Sequence, residues 1–145
     1  MGFTRQDWTS INTIGAEGRL ISKILSAPDY IAKDGTIYRL PPAQPTDYAS
    51  VPKEFWGPLL FLIPYGWWSL PAVFHDGAYA NLLLIVMPDG TTKIANLSKE
   101  QCDDLLLEMM QSLAPTPTVD EKAQMDAIVT GVRLGGWKAF KDDRS

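Results

Sequence analysis

Between Phe55 and Phe74 the chain runs for about twenty residues without a charged side chain, and Pro58, Pro64, Pro71, Gly57 and Gly66 interrupt that run. An apolar stretch of roughly this length can cross a bilayer as a helix. Here the prolines break the helical ladder again and again, and irregular backbone exposed to lipid leaves its polar groups unsatisfied. The expectation is therefore a loop and a helix wrapped into a protein core, with no membrane span. The whole chain, 145 residues and 46% hydrophobic, is about one domain long and can bury such a segment without metal or disulfide staples. We expect a single domain over residues 1–145.

Two polar motifs flank this run. Thr46-Asp47-Tyr48-Ala49-Ser50-Val51-Pro52 precedes it and His75-Asp76-Gly77-Ala78-Tyr79 follows it, and His75 is the only histidine. An unpaired polar group entering a core costs roughly 2–7 kcal/mol, so these side chains need partners, a ligand or a reaction.

Composition removes several function classes. A net charge of −4 and a pI near 4.9 give no broad positive surface for nucleic acid. Cys102 stands alone, which rules out an internal disulfide and a multi-cysteine zinc site and fits a protein of the reducing cytosol. Residues Gly2 to Gly18 are mixed and polar, so no secretory signal is expected.

The element order can be read coarsely. Trp8 to Ile14 and Leu20 to Leu25 are expected as short strands or turns. Tyr30 to Ala32 and Thr36 to Leu40 flank Lys33-Asp34-Gly35, a hairpin in which Asp-Gly would supply positive φ. Pro41, Pro42 and Pro45 are expected to stop any strand, so the Thr46 motif would begin on a loop. A helix is expected from about Trp67 or Ser69, with Ser69 as cap and Pro71 in the first turn, continuing past Tyr79. Leu82 to Met87 and Thr91 to Ala95 around Pro88-Asp89-Gly90 read as a second hairpin, whose first half could instead extend that helix. Ser98 with Gln101 and Thr118 with Glu121 are capping boxes opening two further helices, the second ending at Gly135-Gly136, with 141–145 a charged tail. The expected fold is α+β: a small N-terminal antiparallel β portion made of hairpins, packed against about three helices.

The T-D-x-x-S-x-P loop at Thr46–Pro52, the H-D-x-x-Y helix at His75–Tyr79, the segment Cys102–Met110 and the late Val132-Arg133-Leu134-Gly135-Gly136 resemble in order and spacing a phage and prophage family, domain of unknown function 1353. The resemblance runs from about Tyr38 to Phe140. Cys102 replaces a common Ala and Leu106 an aromatic residue, both at packing positions. The resemblance implies Asp47, Ser50, His75, Asp76, Tyr79 and Asp103 as site residues and a phage-encoded protein, working in the cytoplasm of an infected bacterium or in the virion. It brings no established activity.

On one helix His75 and Tyr79 share a face, while Asp76 lies about 100° round, so Asp47 or Asp103 is the better partner for the imidazole. Three functions compete. A binding module would hold a small, nucleotide-like ligand with Asp47, Ser50, Trp67, Trp68, His75, Asp76, Tyr79 and Asp103, acting by sequestering a host defence signal. A hydrolase would use His75 as base, Asp47 or Asp103 to orient it and Ser50 as nucleophile, or a divalent metal held by His75, Asp76, Asp47 and Asp103. A virion or assembly protein would keep the same residues as a structural network and bind copies of itself or another phage protein.

Overall fold

The structure is a computed structural model that describes residues 1–5, 8–14, 20–41, 44–46, 67–136 and 140–141. Among the described residues, eight strands and three helices follow one another as β1 (Gly2–Phe3), β2 (Thr9–Ile14), β3 (Leu20–Ser26), β4 (Tyr30–Ile31), β5 (Ile37–Arg39), β6 (Gln44–Thr46), α1 (Ser69–Tyr79), β7 (Leu84–Val86), β8 (Thr92–Ile94), α2 (Lys99–Leu113) and α3 (Val119–Gly135). One antiparallel sheet has the order β1-β4-β5-β7-β8 and a second has β2-β3-β6. With three helices this is the expected α+β class.

Both hairpins form, with the same turn chemistry. In β4–β5 the Gly35 amide donates to the Ala32 carbonyl at 2.9 Å and the Ala32 amide to the Thr36 carbonyl at 2.8 Å; in β7–β8 Gly90 donates to Met87 at 2.9 Å and Met87 to Thr91 at 2.7 Å. Only the glycines take positive φ, +89° at Gly35 and +88° at Gly90, so the aspartates are not left-handed as expected. They instead accept from the backbone two residues on: Asp34 Oδ1 from the Thr36 amide at 2.9 Å and Asp89 Oδ1 from the Thr91 amide at 3.0 Å.

Three further expectations are corrected. Pro45 does not stop a strand: it lies within β6, opposite Lys23, and Thr46 ends that strand. The edge of a sheet tolerates a residue without an amide donor, and β6 is the edge of its sheet. Ser69 does not cap α1; Trp68 occupies the cap position without a side-chain bond, and Ser69 opens the helix. Finally, α1 ends at Tyr79. Asn81 adopts φ +58°, its amide donates to Ala78 at 3.1 Å and that of Leu82 to Gly77 at 2.9 Å, the paired bonds of a left-handed helix stop.

Every residue of α1 is buried, and α1 packs chiefly on α2. An apolar helix closed in on all sides serves as the core's central element. Phe3 of β1 joins it to the sheet, with its ring 4.8 Å from that of Tyr30 and 5.5 Å from that of Phe74. Tyr30 and Tyr38 face each other across β4 and β5, both buried, while Ile31 and Arg39 point outward. The Tyr30 hydroxyl then donates to Glu108 of α2 at 2.6 Å, fastening the sheet to the second helix. Both capping boxes are present, at Ser98/Gln101 and Thr118/Glu121, and Gly136 closes α3. No helix among the described residues is long and apolar enough to cross a membrane.

Candidate functional site

A buried carboxylate gathers the polar residues of three helices. Asp103, in the second turn of α2, is 2% exposed and receives three donors. His75 Nε2 lies 2.8 Å and the Tyr79 hydroxyl 2.7 Å from its Oδ1, and Lys99 Nζ lies 2.6 Å from its Oδ2. The spacing of four residues on α1 makes the first two contacts converge, and the imidazole and phenol rings rest 4.0 Å apart.

Lys99 was not anticipated. It sits at the first position of α2, where the helix dipole disfavours a cation. The fold compensates with the opposite pole of another helix: the ammonium also donates to the Val132 carbonyl at 2.9 Å and the Arg133 carbonyl at 3.4 Å, near the end of α3. The one signal in the sequence is the spacing of Lys99 and Asp103, four residues apart on one helix face. The same spacing in Lys122 and Asp126 gives an exposed pair, so the pattern by itself does not signal burial.

The late motif completes the arrangement. Arg133 reaches Asp104 at 3.0 Å on the exposed side of α2. Gly136 lets the end of α3 approach: a Cβ there would collide with the Val132 carbonyl and lie 2.5 Å from the Tyr79 hydroxyl and 3.3 Å from Lys99 Cε. Phe140 then covers the Tyr79 ring, centroids 5.4 Å apart.

The electrostatics follow from this geometry. Burial by itself pushes the Asp103 carboxyl up, but the hydrogen bonds from His75, Lys99 and Tyr79 more than offset that and hold it below the usual carboxylate range. Burial, then the bond to Asp103, pushes the Tyr79 phenol up, so it is a donor throughout the working pH range. An ionised carboxylate can only accept, so the imidazole nitrogen facing Asp103 carries the proton. The other nitrogen, Nδ1, is buried and has no hydrogen-bond partner among the described residues.

Of the residues expected at the site, the structure thus joins His75, Tyr79 and Asp103. Asp76 is buried on α1 beside them. Trp68 is in the core at 4% exposure, its ring edge-on to that of Trp67. Trp67 is half-buried, and its indole N–H donates to Gln124 of α3 at 2.9 Å, so both rings are engaged by the fold. Asp47 and Ser50 lie outside the described residues. No group of three metal-ligating side chains occurs among the described residues, and both Asp103 oxygens are already occupied by donors. A cleft of about 360 Å³ borders the cluster on the Lys99 side, lined by Ser98, Lys99, Glu100, Asp103, Asp104 and Arg133.

No curated protein and no solved structure matches the chain. The family model described as "Protein of unknown function (DUF1353)" matches residues 22–121, beginning earlier than the resemblance had and stopping short of the Val132–Gly136 segment. That stretch is well over half of the chain and includes His75, Tyr79, Lys99 and Asp103: the protein belongs to the DUF1353 family.

Proposed function

We propose that the protein recognises a small polar ligand through His75. The observation that carries this reading is the Nδ1 atom: Asp103 fixes the ring through Nε2, leaving a buried acceptor with no partner among the described residues. An unmet buried polar group costs about 1–3 kcal/mol, and a bound molecule carrying a donor removes that penalty. The polar residues around an oriented imidazole, on an otherwise apolar helix, match the composition of small-molecule sites.

His75→Gln provides the test. The Gln amide can still donate to Asp103, but the Nδ1 acceptor is gone. We expect a thermal-shift and calorimetric screen of nucleotides, nucleosides and small metabolites to yield a saturable ligand for the wild type, recovered unchanged, that the folded variant no longer binds. Equal binding by both proteins would refute the assignment to His75. The phage setting and the sequestration of a nucleotide signal belong to the same proposal; a ligand drawn from that class would support them.

A second reading has one observation in its favour. A carboxylate on one imidazole nitrogen and an unpartnered second nitrogen is the hydrogen-bonding pattern of an oriented general base. Recovery of a cleaved product in place of intact ligand would select hydrolysis over binding.

A further inference from the structure

We infer that the ligand of this site presents a neutral N–H hydrogen-bond donor, such as an amide or an amine-bearing nucleobase edge, and not a phosphate. The inference rests on the binding reading above and specifies its chemistry. Because Nε2 carries the proton toward Asp103, a neutral imidazole offers only a lone pair at Nδ1, and a lone pair repels an anion's oxygens. The four-residue cluster is charge-balanced in that state, since the single Asp103 carboxylate is shared with the Lys99 ammonium. Asp76, the remaining buried acid of α1, projects about 100° away from His75 round the helix and adds negative potential.

The neighbouring cations are committed as well. Lys99 is held by Asp103 and by Val132 and Arg133 carbonyls, and Arg133 is paired with Asp104. The cleft on that side adds Glu100, so its acids outnumber its bases. Phosphate recognition by side chains requires unpaired cations, and the two cations that border this site, Lys99 and Arg133, each already hold a carboxylate. The net charge of −4 opposes anion approach in the same sense.

Calorimetry on the full chain with two sets of probes decides the matter. One set is neutral: the four common nucleosides, together with N6,N6-dimethyladenosine, which lacks the exocyclic donor. The other is anionic: inorganic phosphate and pyrophosphate. The inference predicts saturable binding within the neutral set, at least tenfold weaker for the dimethylated base than for adenosine, and none to the anions. Binding of phosphate or pyrophosphate, with none to the nucleosides, would overturn it while leaving ligand recognition standing. Equal affinity for adenosine and its dimethyl analogue would also overturn it. If neither set binds and a broad screen is equally empty, the binding reading itself fails, and the inference with it.

Discussion

Replacing Lys99 by Met should damage the fold far more than replacing Lys122 by Met, although each lysine stands four residues before an aspartate on a helix. The Lys122–Asp126 pair is about 60% exposed on both sides, and such pairs contribute about 0.3–0.5 kcal/mol. The Lys99–Asp103 pair is 5% and 3% exposed, and the ammonium serves a carboxylate and two carbonyls at once. Removing it leaves Asp103 Oδ2 without its donor in the interior, while Oδ1 keeps His75 and Tyr79 and the Val132 carbonyl keeps the Gly136 amide. Breaking one side of a buried pair costs about 3–5 kcal/mol. For a chain of this length, about 3 °C of Tm per kcal/mol translates that into a loss of roughly 10–15 °C. Urea unfolding followed by tryptophan fluorescence and calorimetric melting measure both variants side by side. A Lys99→Met protein within about 1 kcal/mol of Lys122→Met would refute the claim that this lysine is a buried keystone.

Other perturbations follow from the same geometry. Asp103 has a folded pKa below its unfolded value of about 3.9, so its contribution is fully present above that value and disappears as pH falls through the folded one. Urea midpoints of the wild type should therefore fall on acidification below about pH 4, whereas Asp103→Asn should start lower at pH 7 and show a flatter acid limb. Tyr79→Phe keeps the ring contacts with His75 and Phe140 but loses a bond to a carboxylate, which should cost about 1.5–3 kcal/mol in the same unfolding assay. Gly136→Ala puts a methyl group against the Tyr79 hydroxyl and the Val132 carbonyl, and should cost about 1–3 kcal/mol through overpacking. An unchanged melting temperature for Gly136→Ala would show that α3 does not close on Tyr79.

Much of the fold was legible because it rests on local chemistry. Two capping boxes place the starts of α2 and α3, and two Asp-Gly turns place the hairpins, since each signal satisfies a nearby backbone group within a few residues. Local rules misled where tertiary context won. Ser69 has the chemistry of a cap, yet α1 begins one residue earlier within the core, and Pro45 is accommodated because β6 lies at an edge. Asn81 was readable in principle as a helix stop, but Gly is the commoner residue in that role, and the apolar run beyond it suggested continuation. At the site, helical spacing excluded Asp76 and narrowed the partner of His75 to Asp47 or Asp103, and the structure supplies Asp103. Lys99 could not be anticipated, because its place at the start of a helix is unfavourable until the carbonyls at the end of α3 are seen beside it. The same holds for Gly136, whose meaning is a distance to Tyr79 across the interior.

The most direct test uses the fact that the chain has a single histidine, so ¹⁵N-histidine labelling reports on one imidazole alone. At neutral pH the wild type should show a protonated Nε2 whose proton exchanges slowly and a bare Nδ1, and Asp103→Asn should lose that tautomer preference. A proton on Nδ1 with Nε2 bare, or a ring exchanging freely with solvent in both proteins, would contradict the account.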